Sequence, residues 1–165
     1  MKSQAGYTLV ELMLVVTISA IIALVAGVLV VTANRQMQQG MRVSNLQQDL
    51  AIITETLQNQ LREGISGSTA IYEDYTQLAT GPKTNAGSCI DVILPSDKYF
   101  TIFKDGRKFG VLQSGSPQYL VNNGVDSLLF YYGSGYDSLR NVFVRVQLSN
   151  GTQSLVITQR FYLRN

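Results

Sequence analysis

The sequence has no histidine, and it has one cysteine and three prolines in 165 residues. The lack of histidine removes the commonest general base and metal ligand, together with every histidine-dependent catalytic triad. The single thiol, Cys89, cannot close an intrachain disulfide or build a thiolate zinc site. Charged residues are scarce at 15%, and a net charge of +2 is too small to indicate a nucleic-acid-binding protein. We therefore expect a protein that is not an enzyme.

Motifs for phosphate, acyl-transfer and metal chemistry are missing as well. Residues 81–84 read GPKT, which has some letters of a Walker loop but lacks its GxxxxGK[ST] order. There is no GxSxG elbow, and Ser96-Asp97-Lys98 is better interpreted as a loop after Pro95. No acidic cluster has the spacing of an EF-hand, which leaves open only a weak calcium site built from loop carbonyls. We expect no catalytic residue, no resident metal and no cofactor.

What the sequence does have is a long apolar run near its N-terminus. Residues 12–31 contain no charge over twenty positions, which is enough for a helix to span the hydrocarbon core of a bilayer. A cleaved secretory signal is the alternative, with residues 31–33 (VTA) as its cleavage site and Asn34 as the new N-terminus. Such signals usually have an apolar stretch of about 7–15 residues. The length therefore favours a retained transmembrane helix.

Glu11 is the only charged residue between Lys2 and Arg35, and it lies at the edge of the apolar run. A carboxylate carried towards the bilayer centre costs about 2–3 kcal/mol or more, so an ionisable residue here suggests a function. An ordinary acid in the first helical turn, favoured by the helix dipole, is the other interpretation.

The residues around Glu11 are also informative. Residues 6–12 read GYTLVEL and are followed directly by the apolar helix, a combination that closely resembles the N-terminal signature of type IV prepilins and pseudopilins. The resemblance implies that a prepilin peptidase cuts between Gly6 and Tyr7 on the cytoplasmic side and that Tyr7 becomes N-methylated. It further implies that Glu11, fifth in the mature chain, acts in filament assembly. Pairing of Glu11 with the Tyr7 amine would fix the register between subunits, because a buried charge needs a partner.

This resemblance implies a division of the chain and a location. Residues 1–6 would be the leader, 7–33 the transmembrane and filament-core half of the helix, 34–63 its amphipathic half, and 64–165 a β-rich head. The chain would cross the bacterial inner membrane once, with its head outside the cytoplasm, and then enter a pilus or pseudopilus. Its implied partners are the prepilin peptidase, other major and minor pilins or pseudopilins, and the inner-membrane assembly platform.

Apolar residues continue at helical spacing beyond the membrane segment, at positions 46, 50, 53, 57 and 61. Gly64 follows as a helix C-terminal signal. A single helix over residues 8–62 would have 55 residues and a length of roughly 80 Å. Gly27 and Gly40 interrupt it, and each favours curvature or local melting. The apolar stripe needs a cover, which the remaining residues can supply.

The C-terminal part reads as short strands joined by turns. Apolar and aromatic runs at 89–94, 99–103, 108–113, 127–132, 142–148 and 155–163 have strand character, with tight turns predicted at 104–107 and 150–151. Residues 64–87 predict a connector with one short strand near Ile71. No βαβ pattern is present, so we expect an α+β fold in which an antiparallel sheet packs on the long helix.

A second, looser resemblance extends over most of the chain. The segments NQLREG, YLVNNGVDSLLFYYG and FYLRN look like parts of the minor pilins of the PilW group and of minor pseudopilin J of type II secretion. The resemblance implies a minor pilin of an initiation or tip complex, with a type II secretion pseudopilin as the alternative. A secreted or membrane-anchored binding domain and a membrane-anchored enzyme remain the competing classes.

Two groups of surface residues have a functional and a structural interpretation. Basic residues at 104, 107 and 108 near Tyr99, Phe100, Phe103 and Phe109 could contact nucleic acid, but turn charges are usually solvated and such aromatics usually lie in a core. Nucleic acid is therefore not expected as a partner. Tyrosines 131, 132 and 136 could form a partner surface. The sequon at 150–152 is explained by a hairpin turn.

Overall fold

A computed structural model describes residues 8–95, 98–113, 115–133, 141–151 and 153–164. These residues form one long α-helix, a short 3-10 helix and nine β-strands. The chain divides between Arg42 and Val43 into two compact units. The first of them contains the apolar segment, and the second contains all the strands.

Helix α1, Leu9–Glu63, has the bounds that the periodicity predicts to within one residue. It has an acid, Glu11, in its first turn and a base, Arg62, in its last, as the helix dipole favours. The helix continues through Gly27 and Gly40 without a break, so the local melting considered there is not seen. Each glycine costs about 1 kcal/mol relative to alanine in a helix interior.

In the second unit, the predicted apolar stripe of α1 is buried. Leu46 is 3% exposed, while Ile53, Leu57 and Leu61 are fully covered, and Leu50 is half-buried against the same cluster. Gly64 then follows the helix at a point where Val92 passes close by. A Cβ at this position would lie 2.5 Å from Val92 Cγ1, so glycine permits the approach.

Five strands form one antiparallel sheet in the order β1-β3-β4-β5-β6. Their bounds are β1 Ala70–Tyr72, β3 Cys89–Ile93, β4 Tyr99–Asp105, β5 Lys108–Gln113 and β6 Ser116–Val121. The turn predicted at residues 104–107 joins β4 to β5, with Gly106 at φ +59°. The sequence did not predict β6, because Pro117 and its polar neighbours lack strand character.

Four further strands form a second antiparallel sheet in the order β2-β7-β8-β9. These strands are β2 Ala86–Gly87, β7 Val125–Tyr132, β8 Asn141–Asn150 and β9 Gln153–Tyr162. Two residues separate β8 from β9, and Gly151 has φ +74°, so the predicted hairpin is confirmed. Residues 134–140, including Tyr136, lie outside the described part of the chain.

The predicted α+β architecture is confirmed, but the strands divide between two sheets where we expected one. Alternate residues of β8 (Val142, Val144, Val146 and Leu148) are buried, as its pattern predicts, and join one core with the helix stripe and the inner residues of the five-stranded sheet. The division falls after Val121, because β7 pairs with β8 and β2 and not with β6. Gly124, at φ +106°, lies in the link.

The five-stranded sheet is also covered on its other face, by residues that we expected to be a connector. The 3-10 helix Tyr75–Gln77 is capped by Asp74, whose Oδ1 accepts bonds from the backbone N–H groups of Thr76 and Gln77 at 2.8 and 3.2 Å. It places the Tyr75 ring on Phe103, with centroids 3.9 Å apart. Cys89 is fully buried on β3 nearby.

Candidate assembly site

The N-terminal unit exposes an almost continuous apolar surface. Every described residue from Thr8 to Arg42 is exposed, and the large apolar side chains between Leu9 and Val31 are 48% to 76% accessible. By length and composition, α1 qualifies as a membrane-spanning helix, and none of its most apolar segment is buried. A surface of this extent needs lipid or other apolar helices around it.

Two threonine hydroxyls in this segment are satisfied within the helix itself. Thr17 Oγ1 donates to the Met13 carbonyl and Thr32 Oγ1 donates to the Val28 carbonyl, each at 2.8 Å. Such bonds to the preceding turn let threonine enter an apolar environment without an unpaired donor. These two threonine side chains are thus compatible with burial in a membrane or in a bundle of helices.

Glu11 and Thr8 close the N-terminus of the helix together. The Glu11 Oε2 atom accepts a bond from the Thr8 backbone N–H at 2.9 Å and another from the Thr8 hydroxyl at 3.1 Å. In return, the Glu11 backbone N–H donates to Thr8 Oγ1 at 3.4 Å. This reciprocal arrangement is a capping box. Its signal, threonine followed three residues later by glutamate, is present in TLVE. The sequence thus contained a sign of the capping role beside the first-turn acid and Tyr7-partner interpretations of Glu11.

The capping box gives the carboxylate a position at the exposed start of the apolar helix. Gly6 and Tyr7, between which processing is expected, lie outside the described residues. The structure therefore locates Glu11 but leaves its pairing with the Tyr7 amine as a proposal.

Other residues singled out in the sequence have structural roles. Phe100, Phe103 and Phe109 are buried, as a core explanation predicts, and Tyr99 is 62% exposed. Arg107 pairs with Asp126 at 3.0 Å and also donates to the Ser149 carbonyl at 3.1 Å. These contacts favour a structural explanation of the hairpin cluster.

The tyrosines at the end of β7 also make contacts within the head. Tyr132 donates its hydroxyl to the Thr69 carbonyl at 2.9 Å and is half-buried. Tyr131 stacks on Phe143 of β8, with ring centroids 5.3 Å apart. Among the residues described by the structure, no group of three or more acidic or thiol side chains is arranged to hold a metal ion.

Comparison with known protein families gives a match at the N-terminus of the chain. Residues 1–27 match the family model described as the prokaryotic N-terminal methylation motif. The match covers the GYTLVEL segment, the residues before it and most of the apolar run, and it supports the type IV pilin and pseudopilin family. The architecture, one long apolar N-terminal helix with antiparallel sheets, is pilin-like. No curated protein matches the chain.

The motif thus indicates a type IV pilin-like substrate of prepilin peptidase, and it is typical of structural, non-enzymatic proteins. Together with the exposed apolar helix, it supports anchoring in a membrane.

Proposed function

We propose that the protein is a minor pilin, a non-enzymatic subunit that takes part in initiating type IV pilus assembly or in forming the pilus tip. In this proposal the prepilin peptidase cleaves between Gly6 and Tyr7, Tyr7 is N-methylated, and the head lies outside the cytoplasm. The subunit then leaves the inner membrane, and its apolar helix packs against those of other pilins.

The observation that carries the proposal is the exposed apolar helix with Glu11 at its start. Removing such a helix from lipid requires an equally apolar environment, which a bundle of similar helices offers. Inside that bundle, an ionised Glu11 is destabilising unless a cation pairs with it. The amine released on Tyr7 is cationic near neutral pH, since an α-amino pKa is about 7.7–8.0. Pairing of these two groups, within one subunit or between neighbours, would favour a single register.

The proposal predicts that Glu11→Gln blocks incorporation into filaments while processing continues. The variant keeps the size and hydrogen-bonding ability of the side chain but removes its charge. We expect about tenfold less of the variant than of the wild type in sheared filaments. Such a change requires the free energy of incorporation to become less favourable by only about 1.4 kcal/mol. Immunoblots of sheared and whole-cell fractions measure this ratio.

Glu55→Gln is the matched control, because Glu55 is an exposed glutamate of the same helix outside the apolar segment. It should enter filaments at the wild-type level. Glu11→Gln at the wild-type level in filaments would contradict the assembly role. A deletion strain that retains pili and loses protein secretion would instead assign the protein to a type II secretion pseudopilus.

A further inference from the structure

The outer edge of β9 differs from the other sheet edges in the described part of the chain. At those edges, β1 and β2 have three and two residues, and β6 contains Pro117 and a register shift against β5. Short strands, prolines and bulges are the devices by which proteins protect edges against pairing. Strand β9 has ten residues without proline or lysine and pairs with β8 alone in the sheet order.

The hairpin shows which backbone groups of β9 are directed outward. In a two-residue hairpin, the residues that flank the turn, here Asn150 and Gln153, exchange hydrogen bonds. The register is unbroken from Gln153 to Tyr162, so bonded and non-bonded positions alternate along it. The N–H and C=O groups of Ser154, Val156, Thr158, Arg160 and Tyr162 therefore point away from β8, towards the free edge.

Next to this edge lies a groove lined largely by cationic and amide side chains. It encloses about 650 Å³ between the last turns of α1 and the end of β9. Its lining contains Arg62, Arg160 and Arg164 and no acidic residue. Among the described residues, none of these three guanidinium groups forms an ion pair with a carboxylate.

Contacts with neighbouring side chains orient Arg160 in this groove. Its Nε donates to Asn141 Oδ1 at 3.2 Å, and its guanidinium carbon lies 4.6 Å from the centroid of the Tyr162 ring. Tyr162 is 64% exposed. A guanidinium that packing already orients loses less conformational entropy when it binds an anion.

We propose that the β9 edge and this arginine groove bind an extended acidic peptide segment of another protein by β-strand addition. The backbone of the segment would pair with the outward groups of β9, and its carboxylates would contact the arginines. Leu155 and Ile157, which are only partly buried, offer apolar contacts further along the strand. A peptide is favoured over a nucleic acid because only a polypeptide can use the unpaired strand edge. This inference does not depend on the minor pilin proposal.

A binding assay with the full chain in detergent micelles tests the proposal. The probe is a fluorescein-labelled decapeptide of alternating valine and glutamate, and the control peptide has lysine in place of glutamate. We expect saturable binding of the acidic peptide by fluorescence anisotropy, which weakens when NaCl is raised from about 0.05 M to about 0.5 M. No saturable binding, or equal binding of the lysine peptide, would overturn the proposal.

Two sets of variants distinguish the contribution of the arginine charges to binding from the contribution of the β9 edge. Replacing Arg62, Arg160 and Arg164 by glutamine should raise the dissociation constant about tenfold or more, whereas the same replacement of Arg35, Arg42 and Lys83 should leave it unchanged. Thr158→Pro should also weaken binding about tenfold, because it removes an outward N–H without breaking the ladder to β8. Thr158→Ala is its control, and circular dichroism checks that each variant is folded.

Two other outcomes would assign the surface to a different partner. Displacement of the acidic peptide by oligothymidylate at an equal affinity would indicate a nucleic-acid surface and overturn the proposal. A concentration-dependent dimer that Thr158→Pro abolishes, together with no peptide binding, would show that a second copy of this chain occupies the edge and would overturn it as well.

Discussion

Cys89 and Asp91 lie two residues apart on β3, on the sheet face that the Tyr75–Gln77 segment covers in part. Cys89 is fully buried, and desolvation is the main cause that raises its pKa to about 12. Asp91 is half-buried, and desolvation also raises the pKa of its carboxyl group, although a 3.0 Å hydrogen bond from Thr101 Oγ1 opposes this. Both groups are thus disfavoured as anions, and the buried Cys89 side chain packs inside the head.

We expect Cys89 to react with a maleimide far more slowly in the native protein than in guanidinium. With a pKa of about 12, the thiolate fraction at pH 8 is about one in ten thousand, and burial blocks access in addition. Mass spectrometry after timed labelling measures the rates. As a control, Asn59→Cys in a Cys89→Ser background should react quickly, because Asn59 is exposed. Equal native and denatured rates for Cys89 would contradict the buried position.

The raised pKa of Asp91 predicts a pH-dependent effect of Asp91→Asn. When the folded state raises the pKa of a carboxyl group, ionisation is less favourable there than in the unfolded state. Wild-type stability should therefore fall, relative to Asp91→Asn, as the pH rises through the folded-state pKa. The free energy of urea unfolding of both proteins, measured between pH 4 and pH 7 at intervals of about one pH unit, would detect the change. A difference that is constant with pH would contradict it.

At the scale of secondary structure elements, α1 is one continuous helix whose two parts differ in burial. Its first part is apolar on all sides and exposed, while its second part is amphipathic and buries one stripe against both sheets. The capping box at Thr8 and Glu11 begins it, and Gly64 follows its end. The element is therefore specified by local signals at both ends and by two different hydrophobic patterns between them.

Leu57→Ala tests the importance of the buried stripe. The side chain is fully buried, so we expect a loss of about 2–5 kcal/mol in the free energy of unfolding from lost transfer energy and the cavity left behind. Chemical unfolding of the full chain in detergent, followed by near-ultraviolet circular dichroism, measures it. Asn59→Ala on the exposed side of the same turn should change stability by about 0.5 kcal/mol or less. Equal effects of the two substitutions would contradict the packing described for α1.

The elements that sequence could predict are those with strong local patterns. The bounds of α1, the alternation of β8 and the turn at Asn150 and Gly151 all follow from periodicity and turn chemistry. By contrast, β6 and β2 are strands only because neighbours pair with them. A Cβ at Gly87 of β2 would collide with the Tyr72 carbonyl, so this strand depends on a close approach that no local pattern encodes.

Of the candidate site, sequence could predict the apolar helix and the position of Glu11 but not all of its partners. The TLVE pattern contains the capping signal, but an acid at the edge of an apolar run equally predicts a first-turn acid or a partner of Tyr7. The arginine groove could not be predicted either, because Arg62 and Arg160 are almost a hundred positions apart and come together only through packing. The division of the strands between two sheets is likewise set by long-range pairing and not by a local pattern.

At the scale of the whole molecule, the chain combines a membrane-competent helix with a head that has its own core. The core joins the helix stripe to both sheets, and the surface of the head includes the arginine groove beside β9. The N-terminal methylation motif on residues 1–27 connects this architecture to the processing of type IV pilin-like proteins. We therefore expect the apolar helix to be retained in the mature protein, with Tyr7 as the first residue of the processed chain.

Intact mass and N-terminal sequencing test this claim most directly, on protein extracted from membranes of cells with and without prepilin peptidase. With the peptidase, we predict a chain that begins at N-methylated Tyr7, and without it a chain that retains residues 1–6. A mature chain that begins at Asn34 in both strains would show that the apolar segment is a cleaved secretory signal and would contradict the account.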